Sequence, residues 1–164
     1  MKIIKEIKQD EAWDHWKKVE NFSNSDFRLD IRKPLPTDLQ WYTAFLETPD
    51  IGKVFIISSD DWKGDHLCVS DFKLLTAMSN YKVSLNNMGK YDDIRKKEII
   101  FKNDLNGIDT KLIFVAPDTN GPFTIIEGNK RAIALGCLGK LNNLEIFLGV
   151  SSEIKHYCWA RYSI

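Results

Sequence analysis

Between Lys111 and Val150 the chain reads KLIFVAPDTNGPFTIIEGNKRAIALGCLGKLNNLEIFLGV, and this stretch constrains the fold more than any other. KLIFVAP (Lys111–Pro117) is a compact β-branched and aromatic run, which predicts a strand. DTNG (Asp118–Gly121) carries turn residues, PFTIIE predicts a second strand, GNKRAIALGCLGKL a helix, and LEIFLGV (Leu144–Val150) a third strand. Strand, turn, strand, helix, strand predicts a mixed sheet with a helix packed on it. From Ala132 to Leu138 every residue is apolar or glycine, so this helix should be covered on both sides. Ala132, Gly136 and Gly139 make a smooth face on which the helix could lie close to the sheet.

The chain has 164 residues, the size of one ordinary domain. The reading is a single α+β domain over 1–164, with residues 111–150 as the motif-bearing core and residues 1–110 as helical decoration plus a strand at 53–58. Residues 1–9 alternate weakly and predict a short strand. Asp10 is placed to cap a helix from Glu11 to about Asn21, with Ala12, Trp13, Trp16 and Val19 near one face. The two prolines of RLDIRKPLP predict an extended or turning connection. Thr37 would then cap a second helix, DLQWYTAFLE, ending before Pro49 and carrying Trp41, Tyr42 and Phe45 into the core. KVFIIS (Lys53–Ser58) predicts a buried strand. Ser70 would open a helix through DFKLLTAMSNY, and DDIRKKEIIFKNDLNG a charged helix ending at Gly107.

Lys plus Arg number 23 and Asp plus Glu also number 23, and a net charge of zero argues against a dedicated nucleic-acid surface. Cys68, Cys137 and Cys158 are widely spaced with no CxxC pair, a usage that suits a reducing, cytoplasmic setting, with Cys137 expected buried and inert. The opening MKIIKEIKQDEAW is interrupted by charge and has no apolar h-region, and no apolar run approaches a membrane span.

The most informative chemistry lies at the turn inside the motif. Lys130 and Arg131 fall at the amino end of a helix, where N–H groups are unpaired and the dipole is already positive. Two cations there need a counter-charge. One reading supplies it from outside, as an anion on the helix end, with Gly128 allowing close backbone approach and Arg131 gripping two oxygens. The other supplies it from inside, with Glu127 pairing to Arg131 four residues on and no ligand involved. Asp60, Asp61, Asp65 and His66 follow the 53–58 strand and could hold Mg²⁺, or form a solvated acidic turn. His15 and His156 lack a ligand partner at metal spacing and are read as structural.

IIEGNKRAIAL (Ile125–Leu135) resembles the signature of the ParB/sulfiredoxin superfamily, in which a strand ends on an acidic residue, glycine, a polar pair closing on arginine, and a small-residue helix, as in DGNHRxxA. The resemblance implies a small sheet-and-helix core whose turn binds phosphate, usually of a nucleotide. Residue by residue it makes Glu127 the acidic, catalytic candidate and Gly128, Asn129, Lys130 and Arg131 the nucleotide- or phosphate-binding set, with ATP or CTP and Mg²⁺ as implied cofactors. The departures matter. Sulfiredoxins carry cysteine where Asn129 stands, which argues against that activity, and Lys130 replaces a common histidine and is a poorer proton donor near neutrality. The resemblance therefore implies a nucleotide- or phosphate-binding protein, as an enzyme on a phosphorylated small molecule or as a sensor without chemistry. A small nucleic-acid-processing or defence-associated protein is a further alternative, against which the expected lack of a helix-turn-helix region after the motif weighs.

Overall fold

A computed structural model describes residues 1–20, 28–60, 62, 67, 68, 71–84, 91–103, 105 and 107–160. Among these residues the protein is α+β, with helices on both faces of a six-stranded mixed sheet. The strands are β1 (Lys2–Ile7), β2 (Gln40–Leu46), β3 (Val54–Ile56), β4 (Leu112–Ala116), β5 (Phe123–Glu127) and β6 (Leu144–Val150). Their spatial order is β1-β2-β6-β4-β5-β3. β4 runs parallel to β6 and β3 parallel to β5, while β1–β2, β2–β6 and β4–β5 are antiparallel.

The helices are α1 (Gln9–Glu20), α2 (Arg28–Arg32), α3 (Thr48–Ile51), α4 (Leu74–Val83), α5 (Asp92–Asn103) and α6 (Asn129–Cys137), with a 3-10 turn at Ser152–His156. Alternation along the strands divides the core in two. Leu112, Phe114, Ala116, Phe123 and Ile125 face α4, α5 and α6. Ile113, Val115, Ile126 and Phe147 face α1 and the C-terminal segment, where Trp13, Trp16, Ile154 and Tyr157 pack. Tyr157 also donates its hydroxyl to the Ile31 carbonyl at 2.6 Å, which ties α2 to this layer.

The three C-terminal strands and their helix form where the sequence places them. Ala132, Ile133, Ala134 and Leu135 are all fully buried, and burying an Ile or Leu side chain is worth ~1.5–3 kcal/mol. Gly136 has a different use from the one expected. A Cβ there would lie 2.5 Å from Met78 Sδ, so the missing side chain lets α4 approach α6. Gly139 meets nothing within 4 Å and instead adopts φ +70°. It closes the helix as a Schellman motif, with Gly139 N–H donating to the Gly136 carbonyl and Lys140 N–H to the Leu135 carbonyl.

The N-terminal half departs more. Gln40–Leu46 is a strand between β1 and β6, not the helix expected from DLQWYTAFLE with Thr37 as its cap. Both sheet faces are covered here: Trp41 packs toward α1, whereas Ala44 and Leu46 pack toward α4–α6. A strand that is apolar on both faces loses its two-residue period, and Trp41 and Phe45 then imitate helical spacing. RLDIR is a short helix rather than an extended connection. α1 starts before Asp10: Lys8 N–H donates to Glu11 Oε1 at 3.2 Å, so Glu11 does the capping. The N-terminal half therefore contributes three strands as well as helices. No described helix is long and apolar enough to cross a membrane.

Candidate functional site

β3 and β5 run parallel, with Ile56 level with Ile125, so the chain leaving β3 and the turn leaving β5 emerge side by side. Loops at the carboxyl ends of parallel strands are a common place for a ligand. Gly128 makes the turn at φ +88°, a left-handed conformation that side chains rarely adopt. A Cβ on it would come within 2.4 Å of Leu112 Cδ2. Strand packing and backbone conformation thus both demand glycine here, and the space beside it is taken by Leu112 and the Arg131 guanidinium rather than left open.

Asn129, Lys130 and Arg131 follow, and each side chain has an internal partner. Asn129 Oδ1 accepts from the Ile57 N–H at 3.1 Å, stitching the helix start to the chain leaving β3. Lys130 Nζ donates to Asp93 Oδ2 at 2.7 Å, across to the first turn of α5, in a solvent-exposed pair. The hydrogen bond from Lys130 holds the Asp93 carboxyl below its usual range. Arg131 and Glu127 are each 5% exposed and form a direct ion pair. Arg131 Nη1 also donates to the Asp109 carbonyl at 3.2 Å. The two cations at this helix end are therefore both counterbalanced from within, and the internal pairing of Glu127 with Arg131 is formed.

Burial pushes the Glu127 carboxyl up to about 7; the Arg131 guanidinium opposes this and a hydrogen-bonded Glu20 adds to it. The close guanidinium favours an ionised carboxylate, but desolvation outweighs it. Behind this pair lies a cluster that no sequence motif announces. His15 Nδ1 lies 3.2 Å from Asp109 Oδ2, and burial lowers the imidazole's pKa against the pull of Asp109. His15 reaches this neighbourhood only because α1 packs across the sheet, and Asp109 arrives from the segment before β4, so local spacing could not reveal either beside the Glu127–Arg131 pair. Asp109 also faces a groove of about 730 Å³ lined by Lys18, Thr110, Lys111 and Glu145. Lys111 is occupied there by Glu145 at 2.9 Å.

What stays unused at the helix start is its backbone. The N–H groups of Asn129, Lys130 and Arg131 reach no acceptor among the described residues, and Gly128 provides no side-chain cap. One residue beyond the Ile57–Asn129 contact, Ser58 is 8% exposed, and its hydroxyl has no hydrogen-bond partner among the described residues. Of the Mg²⁺-ligand candidates expected after β3, Asp61, Asp65 and His66 lie outside the described residues, and Asp60 is exposed. Among the described residues no group of three or more His, Cys, Asp or Glu side chains could hold a metal ion. Cys137 is half-buried rather than fully buried, and burial raises its thiol pKa. Comparison of the chain with protein-family models, with curated proteins and with solved structures finds no match.

Proposed function

We propose that the protein binds a phosphate-bearing small molecule, a nucleotide among them, at the carboxyl ends of β3 and β5. The observation that carries this reading is the row of three unengaged N–H groups at the start of α6, with the unpartnered Ser58 hydroxyl one residue beyond the Ile57–Asn129 contact. Oriented N–H groups at the positive end of a helix dipole bind anions without any side-chain charge. α6 is held rigidly by its buried face, so these donors are fixed before a ligand arrives. Lys130 is half exposed and can exchange Asp93 for a phosphate oxygen. Arg131 then has a supporting role. It neutralises Glu127 and holds the Gly128 turn, and it does not grip phosphate itself.

The burial of Glu127 against Arg131 supports binding without chemistry over an enzyme that uses this carboxyl group. Calorimetric titration with inorganic phosphate, ATP and CTP, with and without Mg²⁺, tests the reading. Binding is expected, weakened about 2–10-fold in Ser58→Ala by loss of one neutral hydrogen bond. A phosphate-release assay should show no turnover. Absence of binding by all three anions refutes the proposal.

A further inference from the structure

α5 buries Ile94 and Phe101 against the core, and its opposite side carries Ile99 and Ile100, which are 56% and 51% exposed. A single exposed apolar residue needs no explanation, but two side by side within a ring of cations do. Arg95 and Lys96 lie one turn before the isoleucines, and Lys102 lies three residues after Ile99, so all five side chains share the outward face. The three cations are exposed, and none forms a direct ion pair among the described residues. The acidic residues of α5 do not offset them. Glu98 accepts from the Tyr81 hydroxyl at 2.8 Å, Asp93 is held by Lys130, and Asp92 sits at the start of the helix, about 10 Å along the axis from Ile99. The Tyr81–Glu98 bond also ties the last turn of α4 to this helix, and that turn exposes Lys82 together with Val83, which is 78% exposed.

We propose that the outward face of α5 docks on an anionic lipid surface, with Ile99 and Ile100 entering the headgroup layer and Arg95, Lys96 and Lys102 meeting the lipid phosphates and carboxylates. The charge on this face is of one sign, which is complementary to anionic lipid. Long basic side chains lay their stems along apolar surface and keep their charged ends in water, so cations flanking isoleucines suit a boundary between headgroups and acyl chains. A convex helix face with this little apolar area falls short of the roughly 1,200–2,000 Å² that a stable protein interface buries, whereas a fluid lipid surface adapts to it. A nucleic acid would use the cations and leave the isoleucines in water. No described helix is long and apolar enough to cross a membrane, so the contact proposed is peripheral.

Co-sedimentation with vesicles of equal parts phosphatidylserine and phosphatidylcholine tests this, with vesicles of phosphatidylcholine alone as the comparison. The wild-type protein should bind the anionic vesicles, should not bind the neutral ones, and should be released as salt is raised. The double variant Ile99→Ser with Ile100→Ser should bind about 10–30-fold more weakly, and Lys96→Gln about 5-fold more weakly. The side chains removed are exposed, so circular dichroism should show both variants folded as wild type is. Failure of the wild type to bind anionic vesicles overturns the proposal, as does equal binding to neutral vesicles or vesicle binding unchanged by loss of the two isoleucines. Binding of a single-stranded oligonucleotide that survives the isoleucine changes, with no vesicle binding, assigns the face to nucleic acid and likewise overturns it.

Discussion

Removing Arg131 separates a structural arginine from a ligand-gripping one. In Arg131→Ala, Glu127, 5% exposed in the native protein, loses its cation, and the Asp109 carbonyl loses a donor. Deleting one partner of a buried ion pair costs ~3–5 kcal/mol. The lost bond to Asp109 adds about 1 kcal/mol. Two effects work the other way. The helix start is relieved of a repelled charge, which returns ~0.3–1 kcal/mol. Glu127 can also take up a proton, since burial already holds its pKa at about 7. At pH 8 the net loss should be about 3 kcal/mol, a fall in Tm of roughly 6–12 °C for a chain of this size. At pH 5 the carboxyl is protonated in the folded protein and the fall should be smaller. The assay is a circular-dichroism melt at both pH values, with Lys130→Ala as control. That exposed pair with Asp93 should matter by no more than ~0.5 kcal/mol. An Arg131→Ala protein that melts at or above wild type at pH 8 refutes the structural role given to Arg131.

The turn and the thiols offer two further checks. Gly128→Ala should lower stability by about 1–3 kcal/mol in a urea titration, because φ +88° is strained for alanine and its Cβ meets Leu112 Cδ2; an unchanged midpoint contradicts this packing. A thiol reagent should label exposed Cys158 first, half-buried Cys137 slowly, and Cys68 only on unfolding, since Cys68 is fully buried with its thiol pushed up to about 12; rapid labelling of Cys68 contradicts the packing of that side.

The motif-bearing core was legible because each of its signals is local. LIFVA and FTIIE are too short and too β-branched for helices, DTNG can only turn, and the run from Ala132 is apolar on every side as a central helix must be. β2 was not legible, because Trp41 and Phe45 mimic a helical face when both sides of a strand are buried. At the candidate site, the sequence placed a glycine turn at Gly128 and raised the question of what balances Lys130 and Arg131. Its own spacing offered Glu127 as the partner of Arg131, four residues away. It could not offer Asp93 for Lys130, nor His15, Asp109 and Glu20 around Glu127, because these arrive from α5, α1 and the segment before β4. Nor could it show that the space beside Gly128 is filled by Leu112.

The central claim is that an anion is held by the backbone at the start of α6. The most direct test is a nitrogen-15 NMR titration of the wild-type protein with inorganic phosphate and then ATP. The account predicts saturable shifts largest at the amides of Asn129, Lys130 and Arg131, with the Ser58 region following and the Arg131 side-chain Nε–H unmoved. Saturable shifts centred instead on the groove at Asp109–Lys111, or no saturable shift at the α6 amides, would contradict it.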